Sequence, residues 1–462
     1  MLISFKVSNS RSIGKELEFS AIATDDTILP ENTIELPKYG IRILKTMALF
    51  GANASGKTNI LQAFADARNI ICTSNLNRKR ISFPFNRNDS ENNSKAIAYS
   101  FTFLIGETVY NYSFKHNQER ILEELLTENI DAVKEQIIYS RKFDIETKKY
   151  EWLPKEYFES KNFDHFIYDT DNQDRIEKLL FLTLSHSPFL KKDILLEEIF
   201  NWFEKQLKPT LSLSGAGKFS GISPIISSNT SVSSFVAQVS ADNNFNFLIN
   251  FIQKSEGNKK LILNFLKKVD INIDDIQIVE LIGDNTTMSQ AYNYVNPDKE
   301  NDEQDEKGIR VSLKTYHKVI NEKSEIILKE FDLRKEESSG TKIFLAWLGF
   351  WLYSFQKEQK PSIFTVDELG TSLHPKLTMY LMKLFANKET NPYNSQLIFT
   401  THEVKLMDKT VMRPDQLYLV NKDNEGNSNI KRVSKFKGLD KYSRLDTLYM
   451  EGAMRGIPLI NL

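Results

Sequence analysis

The chain is 462 residues long, with 40% hydrophobic and 26% charged residues, a balance that allows a sizeable core and excludes global disorder. Its formal net charge of −1 excludes a global field drawing it to nucleic acid or anionic membrane. A single cysteine, Cys72, rules out an internal disulfide and fits a reducing compartment.

Residues 2–7 and 16–21 alternate apolar and polar side chains as strands do, and residues 45–50 form a short apolar run. The N-terminus lacks the long apolar core of a signal peptide, and no apolar run reaches the roughly 18 to 20 residues of a membrane span. A soluble cytoplasmic protein without membrane contact is expected. After the apolar run comes a glycine-containing turn, then a helical pattern with Ile60, Leu61 and Phe64 on one face. Residues 96–104 and 108–114 predict a hairpin joined through Ile105, Gly106 and Glu107.

From residue 116 onward Tyr, Phe, Glu and Lys dominate, with helical spacing in 193–206, 244–252 and 259–269. The Ser/Gly-rich stretch 211–234 reads as a long loop or flexible linker, and the acidic stretch 296–307 as a solvated loop. Paired strands are predicted at 308–318 and 323–331, followed by alternating helix and strand signals up to residue 420. The expected organisation is α/β, a core with a mixed sheet split by a mainly helical insertion. Residues 1–115 and 306–462 would form the core, and 116–305 the insertion.

Gly51-Ala52-Asn53-Ala54-Ser55-Gly56-Lys57-Thr58 matches G-x-x-x-x-G-K-[ST] in full, between an apolar strand and an amphipathic helix. Glycines there let backbone N–H groups wrap phosphate oxygens, and Lys57 would neutralise the β/γ charge. Thr58 offers its hydroxyl to Mg²⁺. Gly51, Asn53, Ala54, Ser55, Gly56, Lys57, Thr58 and Asn59 are therefore the candidate contacts for ATP. Downstream, the apolar run 363–366 leads into Asp367-Glu368. A strand ending in two acids suits a P-loop enzyme: Asp367 would hold Mg²⁺ through water, and Glu368 would polarise the attacking water.

Glu336-Glu337-Ser338-Ser339-Gly340-Thr341 precedes a predicted helix over 342–353. A further buried strand at 396–399 is followed by Thr400-Thr401-His402-Glu403. Ser338 or Ser339 can cap the following helix, the commoner role of such residues. His374, in Leu373-His374-Pro375, can shape the turn into the next helix.

This ordered set resembles the ABC-type ATPases: Walker A, signature loop, Walker B with its glutamate, D-loop, switch histidine. Within them it is most similar to bacterial AAA-type ATPases of the abortive-infection and phage-defence group. These are relatives of the overcoming-lysogenization-defect and chromosome-maintenance ATPases. The tail, Tyr449 through Pro458, is shared as well. The resemblance implies ATP hydrolysis with Mg²⁺, with Glu368 and His402 as catalytic residues. Ser338, Ser339 and Gly340 would complete the site of a partner subunit, so a head-to-head pair is implied.

The family's Asn-Phe-Arg-Ser becomes Asn9-Ser10-Arg11-Ser12 here, so an aromatic adenine contact is lost while Arg11 remains a candidate phosphate contact. No Q-loop glutamine can be placed. The insertion lacks sustained heptads and is interrupted by Pro188, Pro209 and Pro224, against a coiled-coil repair head. About sixty residues follow His402, too few for an added nuclease domain of ordinary size. Asn421-Lys422-Asp423-Asn424 departs from the guanine-reading order Asn-Lys-x-Asp.

Two functions follow as expectations. One is an ATPase switch or scaffold for a separately encoded effector, a nuclease foremost, in phage defence. The other is an ATPase that clamps or translocates DNA, supported by the basic run Asn77-Arg78-Lys79-Arg80 with Arg87.

Overall fold

The computed structural model describes all residues except 74–80, 89–90, 92–93, 132–133, 189, 214–218, 222–244, 283–308, 359, 437–443 and 455–462. The chain divides into two compact units, the first of residues 1–214, 218–243 and 354–462, the second of 215–217 and 244–353.

In the first unit, β1 (Leu2–Ser8) pairs antiparallel with β2 (Leu17–Ser20), and β3 (Thr33–Leu36) with β4 (Ile41–Leu44). Next comes β5 (Thr46–Phe50), buried at every position as suits a strand covered on both faces. It leads through the glycine loop into α1 (Lys57–Cys72), which buries Ile60, Leu61 and Phe64 as the sequence pattern requires. Phe64 stacks on Phe5 of β1, ring centroids 3.9 Å apart.

An antiparallel meander follows: β6 (Ile97–Ile105), β7 (Thr108–His116), β8 (Ile121–Asn129), β9 (Glu135–Asp144) and β10 (Lys149–Leu153). The hairpin between β6 and β7 is the predicted one, with Gly106 in the left-handed region at φ 58°. The seven-stranded sheet has the order β10-β9-β8-β7-β6-β1-β2. A boundary at 115 therefore cuts β7, and β8, β9 and β10, which lie where a mainly helical insertion was expected to open, are strands. They belong to the first unit. The helical spacing lies further on, in 193–206, 244–252 and 259–269, whereas here each strand pairs with the one before it, and that pairing decides the local structure.

Short helices then run from 155 to 185, and α2 (Ile194–Asn201) is capped by Asp193, whose side chain accepts from the Leu196 N–H at 3.1 Å. The predicted helix over 193–206 changes to π-helical winding at Trp202–Gln206. Arg68 of α1 donates to the carbonyls of Glu204 and Leu207 at 2.7 and 2.6 Å, holding that turn against α1. Beyond it, β11 (Leu211–Leu213) and β12 (Phe219–Gly221) are strands within the stretch expected to be a loop, the rest of which lies mostly outside the described residues. The acidic stretch 296–307 also lies outside them.

A fully buried ion pair ties the meander to these helices. Arg141 Nε donates to Glu124 Oε2 at 2.8 Å, and Glu124 also accepts from the hydroxyls of Tyr112 and Tyr139, both at 2.8 Å. The Phe181 and Leu182 N–H groups donate to the same carboxylate at 2.7 and 3.1 Å. Burial, reinforced by the Glu124 charge, holds both tyrosine pKa values well above their ordinary value. Glu124→Ala would leave the Arg141 charge buried without its partner, at a cost of roughly 3–5 kcal/mol. A clear fall in the denaturant midpoint is expected; a midpoint equal to wild type would make the network incidental.

The second unit contains α3 (Asn246–Gln253), α4 (Glu256–Lys268), β13 (Asp275–Ile282), β14 (Ile309–Ile320), β15 (Ile326–Asp332) and most of α5 (Ser339–Glu358). The strands form an antiparallel sheet in the order β13-β14-β15. Gly349 lets α5 approach α3 closely, since a Cβ there would lie 2.6 Å from Leu248 Cβ.

Returning to the first unit, β16 (Ile363–Asp367), β17 (Gln396–Thr400), β18 (Leu417–Lys422) and β19 (Ser428–Arg432) complete a second sheet, with α6 (Pro375–Ala386) connecting β16 to β17. Its order is β12-β11-β16-β17-β5-β18-β19, parallel from β11 to β18 with antiparallel edges. Gln396 stitches the sheets together: its side chain accepts from the Leu2 N–H at 2.7 Å and donates to the Leu2 and Leu44 carbonyls, both at 3.0 Å. Among the described residues, no helix is long and apolar enough to cross a membrane.

Candidate nucleotide-binding site

The loop 51–56 links the C-terminal end of β5 to the N-terminus of α1, where the helix dipole is positive and its first N–H groups lack helical partners. Ala54 and Gly56 take left-handed backbone angles, φ 61° and 104°. Gly56 has a second constraint, since a Cβ there would sit 1.9 Å from Ser428 Oγ. Ser428, at the start of β19, donates to the Ser55 carbonyl at 2.7 Å and shares a 2.7 Å hydrogen bond with the Ser12 hydroxyl. Asn59 Nδ2 donates to the same Ser12 hydroxyl at 2.8 Å. The back of the loop is thus braced by two serines far away in sequence.

Lys57 Nζ donates to the loop's own carbonyls, Gly51 at 2.8 Å and Ala52 at 3.0 Å. Burial lowers its pKa below the ordinary lysine value, while the Asp367 and Glu368 charges pull it back up. Both carboxylates therefore act on the lysine across the site.

Three hydroxyl and carboxylate groups converge at the strand ends. Thr58 Oγ1 donates to Asp367 at 3.0 Å, at the end of β16, and Thr400 Oγ1, at the end of β17, donates to Asp367 Oδ1 at 2.5 Å. The Glu368 N–H donates to Thr400 Oγ1 at 2.7 Å, and Glu368 itself is left-handed at φ 56° and exposed. His402 follows β17, with its pKa lowered first by burial and then by the Lys57 charge, against the opposing pull of Glu368 and Asp367. Parallel neighbours β5, β16 and β17 thus deliver Lys57, Asp367, Glu368, Thr400 and His402 to one edge of the sheet, the usual ligand edge of a parallel sheet.

Residues 47–408 match the model of a family described as "AAA domain, putative AbiEii toxin, Type IV TA system". The chain belongs to this AAA family. No curated protein matches it. Among solved structures, the recombination mediator protein RecF with ATPrS, of the RecFOR pathway, aligns over 93% of this chain and 98% of that one, at 12% identity and a TM-score of 0.30. The family supports an ATP-binding ATPase.

In this AAA ATPase the phosphate loop and the two strand-end acids lie side by side, with Thr58 hydrogen-bonded to Asp367. Arg11, the candidate phosphate contact, pairs with Asp66 of α1, Nε and Nη2 donating to its carboxylate at 2.7 and 3.0 Å. Asn59 likewise faces Ser12, as described above, while Asn53 and Ala54 are exposed on the loop. Sequence reading missed Thr400, Ser12 and Ser428. Thr400 had a signal, a hydroxyl residue ending a predicted strand beside His402. The two serines had none, being 416 positions apart. The loop reading of 211–234 also hid a strand beside Walker B, since Ser212 of β11 pairs with Asp367.

The second unit carries the candidate signature loop. Ser338 Oγ accepts from the Thr341 N–H at 3.1 Å, capping α5, so that Ser339 and Gly340 open the helix. In the first unit His374 caps α6, its Nδ1 accepting from the Lys376 N–H at 3.3 Å, which makes it a residue that shapes the turn. The basic run 77–80 offered for DNA, and the tail from 455 onward, lie outside the described residues.

Proposed function

We propose that this ATPase hydrolyses Mg-ATP at sites completed by a second copy of the chain. It would work in the cytoplasm as a switch or scaffold for a separately encoded effector, a nuclease foremost, in defence against phage. The observation that carries the hydrolytic part is the meeting of Thr58 and Asp367, 3.0 Å apart. A hydroxyl and a carboxylate at this spacing, on a phosphate loop and an adjoining strand end, fit a magnesium ion that is also held by phosphate oxygens. When bound, that ion would neutralise charge on the β- and γ-phosphates.

The chain's own groups divide the remaining work. Lys57 and the loop N–H groups hold the phosphates, and Thr400 fixes the Asp367 carboxylate. Glu368 orients water and takes its proton. His402, kept neutral at pH 7 by its lowered pKa, donates a hydrogen bond to a γ-phosphate oxygen. The capped N-terminus of α5, with Ser338, Ser339 and Gly340, would meet the γ-phosphate bound on the partner copy. The family description, which places its members with a toxin and a toxin–antitoxin system, supports a role beside a second protein.

A mixing experiment tests the shared site. Lys57→Ala lacks a working phosphate loop and Ser338→Arg a working signature loop, so each alone should be nearly inactive. Mixed in equal amounts, they can build one intact site per heterodimer, and turnover should rise to a sizeable fraction of wild type. A mixture no more active than its components would refute completion in trans.

A further inference from the structure

Glu337, directly before the helix-capping Ser338, is held from below by the three-stranded sheet of the second unit. Its Oε1 accepts from Thr315 Oγ1 at 2.6 Å and lies 2.6 Å from His317 Nε2. Thr315 and His317 are two residues apart on β14, hence on one face of that sheet. The carboxylate is largely buried, its side chain 10% exposed, and the His317 ring meets Phe331 of β15 edge-on with centroids 4.9 Å apart. The other end of the loop is tied down too. Glu336 accepts from the Asp332 N–H at 2.5 Å, while Asp332 Oδ1 accepts from the N–H groups of Arg334 and Lys335 at 3.0 and 3.1 Å. Lys314 of β14 reaches Asp332 at 3.6 Å, and Lys342 of α5 donates to the Arg334 carbonyl at 3.1 Å. Segment 332–338 therefore has its geometry set by β14 and β15 as well as by the start of α5.

We infer that His317 is a positioning residue for the signature loop, fixing Ser338, Ser339 and Gly340 through the Glu337 carboxylate. A helix N-terminus binds phosphate well only when its N–H groups are aimed within a few tenths of an ångström, and a buried charge-assisted hydrogen bond one residue before the cap supplies that constraint. The role rests on the proposal that this loop completes the partner's site. It acts on turnover, not on the binding of ATP by the subunit's own phosphate loop.

The test is His317→Ala together with His317→Gln, whose amide nitrogen can replace Nε2 as the donor to Glu337. His317→Ala is expected to lose about tenfold or more in kcat while its nucleotide affinity, measured by titration with a fluorescent ATP analogue, stays at the wild-type value. His317→Gln should recover most of that loss. Mixing His317→Ala with Lys57→Ala should raise turnover, because the Lys57→Ala copy still carries an intact signature loop. Wild-type kcat in His317→Ala would overturn the inference, as would a parallel loss of nucleotide affinity and unfolding temperature that glutamine does not restore. If the Ser338→Arg and Lys57→Ala pair recovers but the His317→Ala and Lys57→Ala pair does not, His317 acts within its own subunit and the inference fails alone. If neither pair recovers, the shared site itself is wrong.

Discussion

Lys57→Ala is expected to lower ATP turnover by at least about a hundredfold, the usual loss when one preorganised charge donor leaves a phosphate or oxyanion site. The reason lies in what holds the ammonium. Its donors rest on the Gly51 and Ala52 carbonyls, within the field of Asp367 and Glu368, at the mouth of α1. Folding should not suffer in parallel. Burial outweighs those carboxylates and keeps the Lys57 pKa below its ordinary value, so the charged form is carried at a net cost to the folded state. The sign is that of a lysine whose protonation opposes folding, and removing it at neutral pH relieves that cost. Phosphate-release kinetics and a thermal melt on the same sample check both halves. Wild-type turnover would end the assignment of the phosphate loop.

Glu368→Gln separates binding from chemistry. The exposed Glu368 side chain makes no contact on which the Asp367–Thr400–Thr58 cluster depends; its N–H donates to Thr400, and glutamine keeps that bond. ATP should therefore bind as in wild type while hydrolysis falls by roughly 10²–10⁴, the range for loss of a positioned general base. With hydrolysis blocked, the ATP-bound pair should accumulate, and light scattering should show a doubled mass only with Mg-ATP. A monomer at every nucleotide concentration would rule out the two-subunit site, leaving an ATPase that works alone.

Much of this site was legible because its key residues are local in sequence. The phosphate loop is eight consecutive residues, and Asp367-Glu368 directly follows an apolar run, so strand, turn and chemistry could be read together. What supports them was not legible. Ser12 and Ser428 brace Gly56 from opposite ends of the chain, and only the pairing of β5 with β18, and of β18 with β19, brings Ser428 there. The ion pair of Arg11 was hidden for the same reason, because Asp66 becomes its neighbour only once α1 packs beside β1. The strands over 121–153 were hidden differently. Segments such as Ile-Leu-Glu-Glu-Leu-Leu in β8 suit a helix locally, and it is the edge offered by β7 that makes them strand. In the second unit the β14–β15 pairing was predicted correctly. The His317–Glu337 contact was not, since a histidine inside a strand pattern gives no sign of its partner.

The position of β5 has a consequence for how the protein comes into being on the ribosome. Its two neighbours, β17 and β18, are made roughly 350 residues later, which at about 5–20 residues per second means some tens of seconds of synthesis. Until then the strand bearing the phosphate loop has neither parallel partner, and its four apolar residues have only α1 and the first antiparallel sheet to lie against. Closing so long a loop is entropically costly and slow. The nascent chain therefore passes through a stage with a folded meander and an unfinished nucleotide site, during which its sticky edge is a natural client for chaperones. The ability to hold ATP is therefore acquired late in synthesis.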